Sequence, residues 1–238
     1  MNQGIKVALI SGASGGIGTE VAIGLTLDGY SLALVARSKD RLEMLAQQIA
    51  KTHHAQNVPL VLPADLTDTQ WTEKIVADVI ERYGQIDVLF NAVGIYRMGN
   101  WEIKPDDFDA QLSVNVKAVF NLVRGVVPHM IKQGCGHIIT VASRRGKIAA
   151  ADEGAYSASK HAVVGLNDAL YKELVPKGIK VTVICPGWVQ TPMVEKSAFP
   201  KEEMINTSDI LETVRFLTKL SRAASVKEIM IEPRSNLA

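Results

Sequence analysis

The sequence predicts an α/β fold built on a doubly wound, seven-stranded parallel sheet with helices on both faces. Three observations carry that expectation. Seven short apolar or β-branched runs alternate with helix-length amphipathic segments from end to end. The runs are near-continuously apolar, as strands covered on both faces must be. The first run ends in a cluster of glycines that leads straight into a helical pattern.

In order, the predicted strands fall at 6–10, 31–35, 59–62, 86–90, 137–142, 180–184 and 226–231. The first helix places Ile17, Val21 and Leu25 four apart on one face and stops at Asp28-Gly29. Further helical patterns cover 39–51, 68–83, 107–133, 155–175 and 208–220. Pro128 is expected to bend the 107–133 helix or open its last turns, because proline removes an N–H and crowds the preceding turn. Right-handed crossovers between parallel strands put the helices on both faces. No linker or repeat divides the chain, so 1–238 reads as one domain. The one long irregular stretch, 186–207, is expected to be a substrate-binding lid.

A chain of 238 residues buries about 70% of its surface on folding, enough for a core without disulfide staples. Lysine plus arginine number 26 against 25 aspartates plus glutamates, a net charge of +1. That balance removes the electrostatic case for a dedicated binder of nucleic acid or anionic membrane. The two cysteines, Cys135 and Cys185, form no C-x-x-C, and apart from the adjacent His53-His54 the histidines are scattered, with no metal-ligand spacing. They read as small core residues in a reducing compartment, with no metal site expected. The N-terminus lacks a basic region followed by a long apolar core, and no apolar run approaches the ~18 residues needed to span a bilayer. A soluble cytoplasmic protein is expected.

The glycine cluster is Ser11-Gly12-Ala13-Ser14-Gly15-Gly16-Ile17-Gly18. Glycines between a strand and a helix let the chain turn tightly and bring backbone N–H groups to a pyrophosphate at the positive helix end. Gly12, Ser14, Gly16, Ile17 and Gly18 are therefore candidate dinucleotide contacts. Cofactor choice is read about 20 residues further on, at the end of the second strand. There the sequence is Val35-Ala36-Arg37-Ser38, with no acid to hold a ribose 2′-hydroxyl. A guanidinium pairs with a 2′-phosphate, so NADP(H) is favoured over NAD(H), with Arg37 and Ser38 as contacts. The alternative is an ordinary solvated basic loop. Asp65-Leu66 follows the third strand, where the carboxylate is placed either for the adenine amino group or as a turn acid. Asn91-Ala92-Val93-Gly94 follows the fourth strand and faces the same crevice.

Ser143 ends the fifth strand, and Tyr156 and Lys160 follow on a predicted helix, four apart and hence on one face. A phenol with a pKa of about 10 is a poor acid–base catalyst at neutral pH. A neighbouring ammonium is expected to lower that pKa, and a shift of ~3 units takes ~4 kcal/mol of differential interaction. Ser143 is placed to hydrogen-bond a carbonyl oxygen as it becomes an alkoxide.

On these residues the chain resembles the short-chain dehydrogenase/reductases over essentially its whole length. The matching segments are SGASGGIG (11–18), ADL (64–66), NAVG (91–94), SVNVKAVF (113–120), Ser143–Tyr156–Lys160 and PGWVQTPM (186–193). The resemblance implies a Rossmann-type strand order 3-2-1-4-5-6-7 and hydride transfer between a nicotinamide and a carbonyl or carbinol carbon. It makes Tyr156 the proton donor in reduction and places Lys160 also on the nicotinamide ribose. Asn115 would support a water linking Lys160 to bulk solvent. Asn91, Pro186, Val189 and Thr191 would lie against the cofactor, with Thr191 on the carboxamide. It also implies a homodimer or homotetramer.

The sequence departs from the family at three points. Asn91-Ala92-Val93-Gly94 replaces the usual N-N-A-G, and Gly15 stands where many NADP-preferring relatives have a basic residue. The ending Ile229-Met230-Ile231-Glu232-Pro233 lacks the Asp-Gly-Gly of many 3-oxoacyl carrier-protein reductases and is more similar to broad 3-hydroxy-acid and carbonyl reductases.

Arg144 and Arg145 follow the serine, and Arg97 follows the 91–94 loop. One of them is expected to favour an anionic substrate, such as a 3-oxo acid or acyl thioester; the alternative is pairing with acids such as Asp152 and Glu153. Trp188 and Met193 are candidates for an apolar lid lining. The leading functional expectation is an NADPH-dependent carbonyl reductase. The alternatives are an NADP-dependent 3-hydroxy-acid dehydrogenase and a non-catalytic NADP-sensing binding protein.

Overall fold

The computed structural model describes residues 5–52, 58–195 and 197–237. Its strands are β1 (Lys6–Ser11), β2 (Tyr30–Ala36), β3 (Leu60–Pro63), β4 (Val88–Asn91), β5 (Gly136–Val141), β6 (Ile179–Pro186) and β7 (Glu228–Ile231). They form one sheet in the order β3-β2-β1-β4-β5-β6-β7, and every pairing is parallel. The helices are α1 (Gly16–Leu27), α2 (Lys39–Thr52), α3 (Thr69–Tyr83), α4 (Pro105–Leu112), α5 (Ala118–Gln133), α6 (Gly154–Leu174) and α7 (Thr207–Lys219).

The continuous apolar character of the strands has a direct cause. Ala8 and Ile10 of β1 pack in a layer with α1, α2 and α7, whereas Val7 and Leu9 pack in the opposite layer with α3 and α5. All four are fully buried, so neither face of the strand can be polar. A smaller cluster of Ala142, Val163, Val183 and Cys185 seats α6 on β6. Cys185 is buried as expected, and Cys135 is only half-buried.

Local signals set several boundaries. Asp68 caps α3 by accepting from the Gln70 N–H at 2.9 Å, and Gly84 ends that helix with φ 78°. Asn206 and Asp209 form a reciprocal capping box that starts α7.

The predicted 107–133 helix is corrected: α4 and α5 are separated by one π-helical turn, Ser113–Lys117. The wide turn carries the buried Asn115, and such turns occur where a side chain must be re-aimed. Pro128 does not open the end of α5, which runs to Gln133. Pro128 and Arg124, whose carbonyl loses its helical donor, both lie on the exposed side, where water can take the carbonyl.

The 186–207 stretch, which includes Lys196 outside the described residues, holds two short 3₁₀ turns, Pro192–Val194 and Lys201–Glu203. A bridge between Val189 and Ile205 pins its base. The Trp188 and Phe199 rings stack within it at 5.7 Å.

Candidate active site

The chain leaves β1 toward β2 and returns after β3 to β4, on the other side of β1. The loops after β1 and β4 therefore part at the carboxyl ends of the strands, which opens a crevice at this topological switch point. A cleft of about 390 Å³ lies there.

Glycine geometry builds one wall. Gly12 has φ 68°, and a Cβ on it would sit 2.6 Å from the Ala92 carbonyl oxygen. A Cβ on Gly18 would overlap the Gly12 carbonyl, so α1 starts hard against the turn. The first turn of α1 has no acidic side chain, and Gly15 caps it without a side-chain bond. Its N–H groups are therefore unopposed, which suits an anion. Ser14, Gly16 and Ile17 line the same wall.

Arg37 and Ser38 border the cleft, and so does Arg41, which the sequence reading passed over. Ser38 begins α2 by accepting from the Arg41 N–H at 3.4 Å, and that helical start turns Arg41 toward the cleft. Asp65 and Leu66 also border it. Asp65 Oδ1 accepts from the Thr67 N–H (2.9 Å) and Oγ1 (2.8 Å), so it is a turn acid at the rim of the cleft. The backbone bond from Thr67 holds its carboxyl below the usual range. Thr191 lies opposite the glycines.

Asn91, Pro186 and Val189 are not brought to this surface. Asn91 is buried inside the sheet, accepting from Ser11 Oγ at 3.2 Å and donating to Thr140 Oγ1 at 3.4 Å. Pro186, the last residue of β6, and Val189 are buried.

A second cavity of about 740 Å³ shares Met193 with the nucleotide cleft, so the two meet. Ser143 and Tyr156 line it, and Tyr156 packs edge-on against Tyr96 with centroids 5.1 Å apart. The Arg145 N–H donates to Ser143 Oγ at 3.1 Å and steers that hydroxyl. Lys160 is buried, donates to the Val141 carbonyl at 3.2 Å and lies 5.7 Å from the Tyr156 ring centroid. Asn115 accepts from the Ile95 N–H (2.8 Å) and donates to the Ile95 carbonyl (3.0 Å) and Ser159 Oγ (2.9 Å). It thereby ties the β4 loop to α6.

The electrostatics correct one expectation. The Tyr156 phenol is pushed up to about 12, chiefly by burial; a hydrogen bond with Ser143 works against the rise and the Glu153 charge adds to it. Lys160 is drawn down to about 8, because its ammonium is buried as well. The expected net lowering of the phenol by Lys160 is absent, since desolvation is the larger effect and the ammonium points at a carbonyl. The phenol is thus a neutral acid at neutral pH.

The three arginines proposed for an anion all have carboxylate partners. Arg97 pairs with Asp107 (3.3 Å), Arg144 with Glu232 (3.4 Å) and Arg145 with Glu153. The Arg145–Glu153 pair is the alternative the sequence offered for that arginine, whereas Tyr96 and Glu232 were missed because a lone aromatic and a distant acid carry no spacing signal. Among the described residues no cluster of three metal-ligating side chains is found.

A glycine-walled cleft at a sheet switch point, joined to a cavity around a buried phenol, defines a nucleotide-linked oxidoreductase of the doubly wound class. The family model described as short chain dehydrogenase matches residues 6–202. The chain belongs to the short-chain dehydrogenase/reductase family, enzymes that act on CH–OH or carbonyl groups with a nicotinamide cofactor. An uncharacterized oxidoreductase of Staphylococcus epidermidis is 33% identical over 230 residues, 96% of this chain and 97% of its own. A β-ketoacyl-[ACP] reductase structure from Bacteroides thetaiotaomicron superposes with a TM-score of 0.88 at 38% identity, covering 99% of each chain. A Thermococcus sibiricus alcohol dehydrogenase complexed with 5-hydroxy-NADP gives a TM-score of 0.88 at 30% identity, covering 97% of each.

Proposed function

We propose that the protein is an NADP(H)-dependent carbonyl reductase that converts a ketone to a secondary alcohol. The observation that carries this reading is the Tyr156 phenol and Ser143 lining a cavity that meets the glycine-walled cleft at Met193, with Lys160 buried beside the Tyr156 ring. Gly12, Ser14, Gly16, Ile17 and Gly18 would hold the pyrophosphate at the start of α1, and Asp65 and Leu66 would border the adenine. Arg37, Ser38 and Arg41 would hold the 2′-phosphate. Thr191 would face the nicotinamide. When bound, NADPH supplies the hydride.

The chain supplies the rest. Ser143 donates to the substrate oxygen and orients the carbonyl, and Tyr156 O–H delivers the proton to that oxygen. The Lys160 ammonium stabilises the phenolate left behind, and Asn115 fixes the loop and helix that frame Lys160. The 186–207 stretch would act as the lid of the single domain 1–238. A cytoplasmic homodimer or homotetramer completes the reading; Phe120 and Ile131, exposed on α5, supply apolar surface for assembly.

Tyr156 acts as acid in reduction and as base in oxidation, so a 3-hydroxy-acid dehydrogenase would use the same residues, and assay in both directions separates the two. A sensor protein has no need of the Ser143–Tyr156–Lys160 arrangement.

The test is NADPH consumption by the purified protein with an acetoacetyl thioester, a free 3-oxo acid and a neutral diketone, and NADP⁺ reduction with a 3-hydroxy acid. Turnover of a ketone with NADPH is expected, and Arg37→Asp is expected to shift the NADPH:NADH preference by about tenfold or more. Tight NADPH binding with silence across the panel would overturn the reductase in favour of the sensor. An unchanged preference would place the 2′-phosphate elsewhere.

A further inference from the structure

The cavity over Tyr156 contains two guanidinium groups that already have partners. Arg145 and Glu153 form an ion pair with side chains only 16% and 12% exposed. Glu153 also accepts from the Tyr96 hydroxyl at 3.5 Å. Arg144 and Glu232 pair at 3.4 Å with side chains 19% and 14% exposed. The lining itself carries two arginines and two carboxylates, Glu153 and the exposed Asp152, and Glu232 neutralises Arg144 from outside it, so no unpaired positive charge faces the cavity. Much of the remaining wall is apolar, including Met98, Trp188, Met193 and Val194.

We propose that Glu153 is a specificity-determining residue: by holding Arg145 it makes this site select uncharged, apolar carbonyl substrates and turn carboxylates away. The assignment rests on the reductase reading of the same site.

The physical ground is the cost of an entering carboxylate. It must shed water in a largely apolar cavity, and the guanidinium groups it meets there, Arg144 and Arg145, are both already paired. Taking Arg145 leaves Glu153 half-desolvated without a counter-charge beside the newcomer, so the gain is offset by a second unpaired anion. A neutral ketone meets neither cost and gains from the apolar wall. Glu153 acts on the reacting group as well, since it anchors Tyr96 against Tyr156 and its charge helps keep the phenol protonated.

The experiment uses the methyl ester and the free acid of one aromatic 3-oxo acid, which share a skeleton and differ in charge. Turnover with NADPH and calorimetric binding to the NADPH-loaded protein are measured for wild type, E153Q, E153D and E153Q/R145M. Wild type is expected to favour the ester by about tenfold or more in kcat/KM. E153Q frees Arg145, and the KM of the acid is expected to fall about tenfold relative to that of the ester, whatever common change both substrates show. E153D keeps the wild-type preference, and adding R145M to E153Q removes the gain. A wild-type preference for the acid, an unaltered ester:acid ratio in E153Q, or no binding of either compound overturns the assignment. Preferential binding of the ester without turnover of either compound supports the charge assignment and overturns the reductase reading.

Discussion

Tyr156 and Lys160 are each governed by desolvation rather than by one another. Each is desolvated in its charged form, so at neutral pH the phenol keeps its proton and the ammonium keeps its own by a narrow margin. The pH behaviour follows with a definite sign. Lys160 is cationic below about 8 and loses its charge above it. The kcat/KM for NADPH, which reports the free enzyme, is expected to be flat up to about pH 8 and to fall roughly tenfold per unit above. Lys160→Met is expected to be slow at all pH values and to lose that limb. A wild-type profile flat to pH 10 would contradict the Lys160 role. The four-residue spacing of Tyr156 and Lys160 was legible in sequence because a helix converts it into a shared face. The direction of the phenol shift was not, since desolvation belongs to the packed interior. Pairing of Arg145 with Glu153 was one of two readings the sequence left open, and the turn between β5 and α6 decides between them by bringing the two side chains together.

At the scale of elements, the nucleotide wall depends on where α1 sits, and α1 is held by α7. A Cβ on Gly24 of α1 would run into the Leu211 side chain, and Arg215 of α7 clasps Asp28 at 2.8 and 3.2 Å. Gly24→Val is therefore expected to force the two helices apart and lower stability by about 1–3 kcal/mol. Urea unfolding measures this, and a variant as stable as wild type would show that Leu211 moves aside freely. Strands and most helices were readable because burial on both faces and the 3.6-residue period leave a plain pattern. The π-helical turn at Ser113–Lys117 left no such mark: it adds no breaker residue, and Asn115 owes its inward aim to bonds with Ile95 and Ser159. The ordering of 186–207 was hidden for a similar reason, since the Trp188–Phe199 stack and the Val189–Ile205 bridge are tertiary contacts.

Across the whole molecule the candidate site lies at the carboxyl ends of the strands, and one acid-sensitive group lies at the opposite end of the sheet. His137, at the start of β5, is buried, and its Nε2 is 2.9 Å from Thr182 Oγ1. Thr182 Oγ1 donates to the Val226 carbonyl at 2.6 Å, so the ring must donate to Thr182 from Nε2. Burial, helped by the Lys180 charge, draws His137 down to about 3. Its folded pKa lies below the unfolded value of about 6.5, so between these values the unfolded chain binds the extra proton. Stability is complete above pH 6.5 and is lost as pH falls, by about 3 kcal/mol between pH 6.5 and 4. His137→Asn is expected to lose distinctly less over that interval in urea titrations, and an equal loss would remove His137 as the acid-sensitive group. The strand order was foreseen through the family resemblance, whereas this buried imidazole was not, because one histidine in an apolar run looks like any strand residue.

Cofactor binding and chemistry use different residues at the same end of the sheet, and Tyr156→Phe with 4,4-dideuterated NADPH tests that separation most directly. Wild type should place deuterium on the carbinol carbon of the product. The variant should lose turnover by about 10²–10⁴-fold, as removal of a general acid does, while NADPH affinity changes by less than about threefold. Turnover retained in the variant, or a wild-type product without deuterium at that carbon, would contradict the account.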